Sequence, residues 1–161
     1  MSKDKKRVVV FYSYTGNTKK IAENLASKLG ADMLEIETVK KYSSDYDEVV
    51  EHAKKEIRES YKPEIKPLKA DVSNYDEIIL GTPVWWYSMA PAVLSFLANY
   101  DLSGKVVYPF ATNGGWLGHT FEDIKKACPN STVEKGIDIY FFGSNLKTPS
   151  IKIDEWLQNI K

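Results

Sequence analysis

The sequence predicts an α/β fold in which an open parallel sheet carries helices on both faces. Apolar runs rich in β-branched residues alternate along the chain with segments of helical spacing. Most of these runs lack the polar alternation of a sheet with one solvent-facing side, so we expect strands that are covered on both sides. With 161 residues, 43% of them hydrophobic, the chain has the size and composition of one ordinary domain. We therefore expect residues 1–161 to form a single domain.

The first half of the chain yields three strands and two helices. Strands are predicted at residues 7–12, 32–37 and 77–81, and the second of them alternates, as MLEIE, in the manner of an edge strand. A helix at 19–29 carries an apolar stripe and ends at Gly30. A second helix, at 46–60, carries a stripe formed by Val49, Val50, Ala53 and Ile57.

The second half completes the alternation. A helix at 91–99 begins with a proline suited to a first turn, and a strand at 105–112 follows it. A helix at 120–127, a strand at 133–142 and a last helix at 151–160 close the pattern. Ligands of open parallel sheets bind beyond the carboxyl ends of the strands. Functional residues are therefore expected in the loops that follow the strands.

The charge balance and the cysteine count argue against several classes of function. The 22 basic and 22 acidic side chains cancel, which argues against nucleic acid or an anionic membrane as a partner. The single cysteine, Cys128, excludes an intramolecular disulfide and argues against a zinc site. No run approaches the ~20 apolar residues of a membrane span, and the run behind the basic start is too short for a signal peptide. We expect a cytoplasmic protein without a bound metal, and no pattern of residues predicts a hydrolytic catalytic set.

The loop after the first strand, SYTGNT, has the chemistry of a phosphate site. It combines three hydroxyls, an amide and a glycine with the free backbone N–H groups of a helix start. Such an array forms a nest for a tetrahedral anion. The loop lacks the lysine of a Walker A motif, and it is not the GxGxxG of a dinucleotide fold. The predicted phosphate site comprises Ser13, Tyr14, Thr15, Gly16, Asn17 and Thr18.

Three adjacent aromatic residues follow the third predicted strand, in GTPVWWYSMAP, where we expect an exposed connection to the next helix. Exposed aromatic clusters usually mark a binding surface, and flat rings stack on flat heteroaromatic ligands. Thr82 and Val84 are expected to reach ring heteroatoms. The alternative for Trp86 and Tyr87 is that they pack the loop onto its own domain. The predicted ring site comprises Thr82, Pro83, Val84, Trp85, Trp86 and Tyr87.

A glycine-rich segment, FATNGGWLGHT, overlaps the end of the fourth predicted strand and runs beyond it. Glycines let the backbone approach a ligand closely, and two polar side chains add hydrogen-bonding edges. Loops that follow the strands of a parallel sheet meet at one edge, so this segment should join the other two in one site. The residues assigned to it are Thr112, Asn113, Gly114, Gly115, Trp116 and Gly118.

Together the three stretches resemble flavodoxins and flavodoxin-like FMN proteins, whose first loop follows the pattern Ser/Thr-x-Thr-Gly-x-Thr. The resemblance covers essentially the whole chain. It implies a three-layer sandwich of five parallel strands in the order 2-1-3-4-5, with FMN as the cofactor and its phosphate in SYTGNT. It also implies that Trp85 contacts the isoalloxazine ring, that the glycine segment approaches the pyrimidine end, and that Trp116 covers the other face of the ring.

The function implied by the resemblance is a low-potential electron carrier between redox proteins. Two features depart from that pattern. The net charge is zero, whereas carriers that dock onto basic partners tend to be acidic, and TPVWWYSMAP lacks the glycine whose peptide flip favours one-electron reduction. The alternative is an FMN-dependent NAD(P)H:quinone reductase with a small-molecule acceptor such as a quinone. A third hypothesis, a binding module without flavin, conflicts with the intact SYTGNT. A monomer and a homodimer both fit the sequence.

Overall fold

The structure, a computed structural model, describes residues 5–160 and is built around a mostly parallel sheet. Strands β1 to β8 are Arg7–Phe11, Asp32–Glu35, Glu77–Trp85, Ser88–Met89, Val106–Asn113, Thr132–Val133, Ile137–Phe142 and Asn145–Leu146. Helices α1 to α5 are Asn17–Leu29, Tyr46–Arg58, Pro91–Asn99, Thr120–Ala127 and Ser150–Gln158. The ends of the predicted single domain, residues 1–4 and 161, lie outside the described residues.

The five long strands lie in the order β2-β1-β3-β5-β7 and are all parallel, which confirms the predicted order 2-1-3-4-5. Three two-residue strands add to them: β4 and β8 pair antiparallel with β3 and β7, and β6 pairs parallel with β5. The strand predicted at 133–142 is therefore wrong as one element, because β6 and β7 are separate. Gly136 lies between them against the ring of Phe121, where a Cβ would come within 2.7 Å.

Strand β1 shows why the strands have continuous apolar sequences. Val8 and Val10 belong to the core that packs against α3 and α4, and Val9 and Phe11 belong to the core against α1 and α5. All four side chains are at most 1% exposed. The three-layer arrangement with helices on both faces is confirmed. Within residues 5–160, none of the helices combines the length and the hydropathy needed to cross a bilayer.

Strand β3 runs four residues past its predicted end at 81, so the expected exposed connection is wrong for residues 82–85. Pro83 is accommodated because β1 has already ended: the Tyr12 N–H donates to the Gly81 carbonyl at 3.1 Å, and the register of the two strands stops there. Residues two apart in a strand point their amides the same way, so the missing N–H of Pro83 faces the side that β1 has left.

Strands β3 and β4 form a hairpin with a two-residue turn, Trp86 and Tyr87, and Trp85 pairs with Ser88. The Thr82 hydroxyl accepts the amide of Ala90 at 3.0 Å and donates to the Pro83 carbonyl at 2.8 Å. Thr82 is fully buried. Its hydroxyl is therefore used within the protein, where it fixes the hairpin to the start of α3.

Candidate functional site

A cavity of about 550 Å³ opens at the carboxyl edge of the sheet, between the ends of the long strands and one face of α2. Its volume is in the range of small-molecule sites. Ten of the residues predicted for the site line it, namely Tyr14, Thr15, Asn17, Pro83, Val84, Trp85, Trp86, Thr112, Asn113 and Gly114. The structure thus brings the three predicted segments together.

Eight predicted residues lie outside the lining: Ser13, Gly16, Thr18, Thr82, Tyr87, Gly115, Trp116 and Gly118. Six further lining residues were not predicted for the site, namely Tyr46, Val49, Val50 and Ala53 of α2, and Phe141 and Gly143 at the end of β7. The apolar stripe of α2 is visible in the sequence, but periodicity shows that a face is buried and not what covers it. Phe141 and Gly143 lie at the carboxyl end of β7, so the rule that located the other segments also predicts a place for them in the site.

The start of α1 forms the polar end of the cavity. Gly16 precedes the helix with φ of 104°, a left-handed conformation that favours glycine. The Ser13 hydroxyl accepts the amides of Gly16 and Lys19, each at 3.2 Å, and so holds the turn. The amides of Asn17 and Thr18 belong to the first helical turn, where amides have no acceptor within the helix. An anion placed there is stabilised by these donors and by the positive end of the helix.

Two hydrogen bonds tie this loop to neighbouring strands. The hydroxyls of Thr18 and Thr112 lie 2.7 Å apart, and both side chains are buried. The Asn17 side-chain amide donates to the Gly143 carbonyl at 2.9 Å. Thr18 therefore uses its hydroxyl inside the protein, and of the three hydroxyls predicted for the phosphate only that of Thr15 lines the cavity.

Trp85 is the central side chain of an aromatic wall. The rings of Tyr12, Tyr14 and Tyr42 surround it at centroid distances of 5.2–5.8 Å and interplanar angles of 81–88°. Edge-to-face contacts of this kind are favourable and fix the orientation of the central ring. Burial is the main cause that raises the pKa of the Tyr12 and Tyr42 phenols above their usual value. These two phenols therefore stay uncharged near neutral pH.

The hairpin turn that follows Trp85 has a strained backbone. Trp86 and Tyr87 have φ of 48° and 67°, in the left-handed region that bulky residues rarely adopt. Each such residue costs about 1–3 kcal/mol, and two-residue turns of this type normally contain Asn-Gly. Backbone strain of this size persists only when surrounding contacts hold it, and it is concentrated at functional sites.

Contacts from two sides hold the turn. The Trp86 indole N–H donates to the Val50 carbonyl of α2 at 2.9 Å, and the His119 amide donates to the Tyr87 carbonyl at 2.8 Å. Gly118 lies so close that a Cβ there would be 2.4 Å from the Tyr87 carbonyl oxygen. The turn is thus clamped between α2 and the segment that precedes α4.

Trp116, expected over the second face of the ring, is not among the residues that line the cavity. Its side chain is 67% exposed and contacts the Tyr87 ring edge-to-face at 5.6 Å. The Asn113 side-chain oxygen accepts the amides of Gly115 and Trp116, at 2.8 and 3.1 Å, and so shapes the loop that follows β5. Helix α2 forms another side of the cavity, one to which none of the three predicted segments contributes.

Comparisons with known proteins agree with this geometry. The sequence matches the family model described as flavodoxin over residues 6–160. The chain belongs to the flavodoxin family. The flavodoxin of Haemophilus influenzae is 30% identical over 105 residues, which cover 62% of this chain and 46% of that protein. Flavodoxin 1 of Escherichia coli is 27% identical over 106 residues, which cover 63% and 46%. This flavodoxin spans about half the length of the relatives it matches.

Solved structures agree over nearly the full length. A solved structure from Bacteroides eggerthii has 29% identity and a TM-score of 0.83, with 98% of each chain covered. A flavoprotein from Lactobacillus acidophilus in complex with FMN has 24% identity and a TM-score of 0.75, with 96% of this chain and 99% of that chain covered. These similarities confirm the flavodoxin-like α/β fold.

Proposed function

We propose that this flavodoxin binds FMN and carries electrons at low potential between redox proteins. The observation that carries the proposal is the cavity, where a helix start suited to a phosphate and an aromatic wall suited to a planar ring border one space of small-molecule size. Family membership and the FMN-bound structural neighbour support the same cofactor. FMN supplies one- or two-electron transfer, and the protein sets the potential and the access.

The residues of the cavity fit FMN. Thr15 and the amides of Asn17 and Thr18 suit the phosphate, while Trp85 and Ala53 offer apolar surface to the ring. All the described residues that line the cavity are uncharged. An uncharged, apolar lining disfavours added negative charge, so it weakens the binding of reduced flavin and lowers the reduction potential.

One contact favours the carrier over the NAD(P)H:quinone reductase. A hydride donor has to stack its nicotinamide on the flavin ring. In this structure the Trp86 hydrogen bond to the Val50 carbonyl joins the hairpin to α2, and the Trp86 ring also lies under Lys54 Nζ at 4.9 Å. Entry of a second ring would have to break this closure, whereas electron transfer to a partner protein leaves it intact.

The phosphate end can be tested with riboflavin, which has the flavin ring but no phosphate. We expect Thr15→Ala to weaken FMN binding by roughly tenfold to a hundredfold, because a hydroxyl that bonds a charged group contributes about 1.5–3 kcal/mol, and to leave riboflavin binding unchanged. The measurement is a titration of apoprotein with each flavin, followed by fluorescence. Lys20→Ala, one turn into α1 and exposed, is the control. Equal losses for both flavins would place Thr15 at the ring instead of the phosphate.

The carrier role can be tested by anaerobic titration. We expect excess NADH or NADPH to leave the flavin absorbance of the FMN-loaded protein nearly unchanged, and dithionite-reduced protein to reduce cytochrome c, a one-electron acceptor. Rapid bleaching by a reduced nicotinamide with turnover on a quinone would reject the carrier in favour of the reductase. A protein that takes up no FMN would reject both functions.

A further inference from the structure

A buried carboxylate lies behind the aromatic wall. Glu56 of α2 is only 6% exposed. One of its oxygens accepts the Tyr42 hydroxyl at 2.5 Å, and the other lies 3.1 Å from His52 Nε2. Removing a carboxylate from water costs several kcal/mol, and an apolar residue of similar size usually stabilises such a position at least as well. Stability alone therefore does not account for Glu56, and buried charges near a cleft are candidates for function.

Two structural routes connect Glu56 to the cavity. Along α2, Ala53 lines the cavity, and Glu56 follows three residues later on the same side of the helix. Across the wall, the Tyr42 ring that bonds Glu56 contacts the ring of Trp85 at a centroid distance of 5.2 Å. Ala53 along the helix, and the Tyr42 and Trp85 rings across the wall, therefore lie between the carboxylate and the cavity.

We propose that the charge of Glu56 lowers the reduction potential of bound FMN, and that Tyr42 positions this charge. The inference rests on the proposed binding of FMN. Reduction adds negative charge to the flavin, and a buried carboxylate opposes it more strongly than a solvated one because water and salt screen it less. The potential falls because the reduced form is bound less tightly than the oxidised form.

The partners of Glu56 fix the position of its carboxylate. The Tyr42 hydroxyl donates a hydrogen bond to one of the two carboxylate oxygens. Burial, and next this hydrogen bond, raise the pKa of the Tyr42 phenol above its usual value, so the phenol remains a donor. The ring of Tyr42 also packs against His52, which fixes the group from the solvent side.

Glu56→Gln tests the charge because glutamine keeps the shape and the acceptor for Tyr42. We expect the variant to bind oxidised FMN as the unmodified protein does and reduced FMN about tenfold more tightly, because the charge that opposes the added electrons is removed. That ratio corresponds to a rise of about 30 mV in the two-electron midpoint potential. The measurements are fluorescence titration and dye-equilibrated reduction at about pH 8.

Two further variants complete the design. Glu51→Gln removes the same formal charge from an exposed position on the same helix, and we expect the potential to stay unchanged. Tyr42→Phe keeps the ring beside Trp85 and removes the donor, and we expect a smaller rise in the potential. If neither Glu56→Gln nor Tyr42→Phe raises the potential above that of Glu51→Gln, the role of Glu56 is overturned.

The measurements distinguish a failure of the inference about Glu56 from a failure of the proposed function. Equal changes in the affinities for oxidised and reduced FMN would assign Glu56 a structural role and overturn the inference while FMN binding stands. An unmodified protein that does not bind FMN would overturn the proposed function and the inference with it.

Discussion

Arg7→Met is expected to lower the free energy of unfolding by about 3–5 kcal/mol, because it leaves a buried carboxylate without its cation. Glu77 is 3% exposed at the start of β3, and its carboxylate lies 2.6 Å from Arg7 Nε. The Arg7 guanidinium also donates to the Ile160 carbonyl at 2.6 Å, so it ties the first strand to the end of the last helix. Methionine retains the apolar stem and removes only the charged donors. Urea unfolding measures the change.

Lys5 supplies a matched control, since its ammonium lies 3.8 Å from the same Glu77 carboxylate but its side chain is 59% exposed. Lys5→Met should cost about 1 kcal/mol or less, as exposed ion pairs do. Adding Glu77→Leu to Arg7→Met should restore most of the lost stability, because the double variant leaves no buried charge without a partner. Equal effects of Arg7→Met and Lys5→Met would contradict the assignment of a buried pair.

FMN binding separates this pair from the site. Arg7 and Glu77 lie at the amino ends of β1 and β3, the opposite end of the sheet from the cavity. Arg7→Met should therefore change the stability and leave the affinity for FMN unchanged wherever the protein is folded. A stabilising role and a functional role for buried charges can thus be compared within one chain, at Glu77 and at Glu56.

Most of the fold could be predicted from the sequence pattern of the strands. The doubly buried run in β1 and the alternation with helices predict a three-layer sheet without further information. Pro83 shows the limit of prediction from local sequence. Gly81, Thr82 and Pro83 together indicate the end of a strand. The strand nevertheless continues, because β1 has already ended on the side where proline lacks an N–H donor. Only the register of the two strands contains that information.

The site was predictable as three segments and not as individual contacts. The rule that ligands bind at the carboxyl ends of strands located SYTGNT and the segments after β3 and β5. Which hydroxyl remains available was not predictable, because Thr18 is satisfied by Thr112, 94 residues away in the sequence. The aromatic cluster of the hairpin could be found by composition, but its strained turn depends on a close approach by Gly118.

Gly118→Ala is expected to destabilise the protein and to weaken FMN binding by roughly tenfold to a hundredfold. Gly118 has φ of 62°, and a Cβ would lie 2.4 Å from the carbonyl oxygen and 2.5 Å from the Cα of Tyr87. Backbone atoms cannot move aside as a flexible side chain does, so the turn itself must shift. Overpacking of this kind costs about 1–3 kcal/mol beyond the cost of the left-handed backbone.

Gly104→Ala separates the cost of overpacking from the cost of the left-handed backbone. Gly104 has φ of 77°, and a Cβ there would meet no atom within 4 Å among the described residues. This variant should therefore lose only about 1 kcal/mol, from the backbone conformation, and keep its affinity for FMN. Urea unfolding and flavin titration of both variants give the comparison.

The expected split between stability and affinity follows from where the strain can be relieved. In the free protein the Trp86–Tyr87 turn can move away from the new methyl group, at the cost of the His119 amide bond to the Tyr87 carbonyl. A bound ring that needs Trp86 in the cavity wall prevents this movement, so the remaining strain appears as lost affinity. Loss of stability with unchanged affinity would mean that the clamped turn belongs to the scaffold and not to the FMN site.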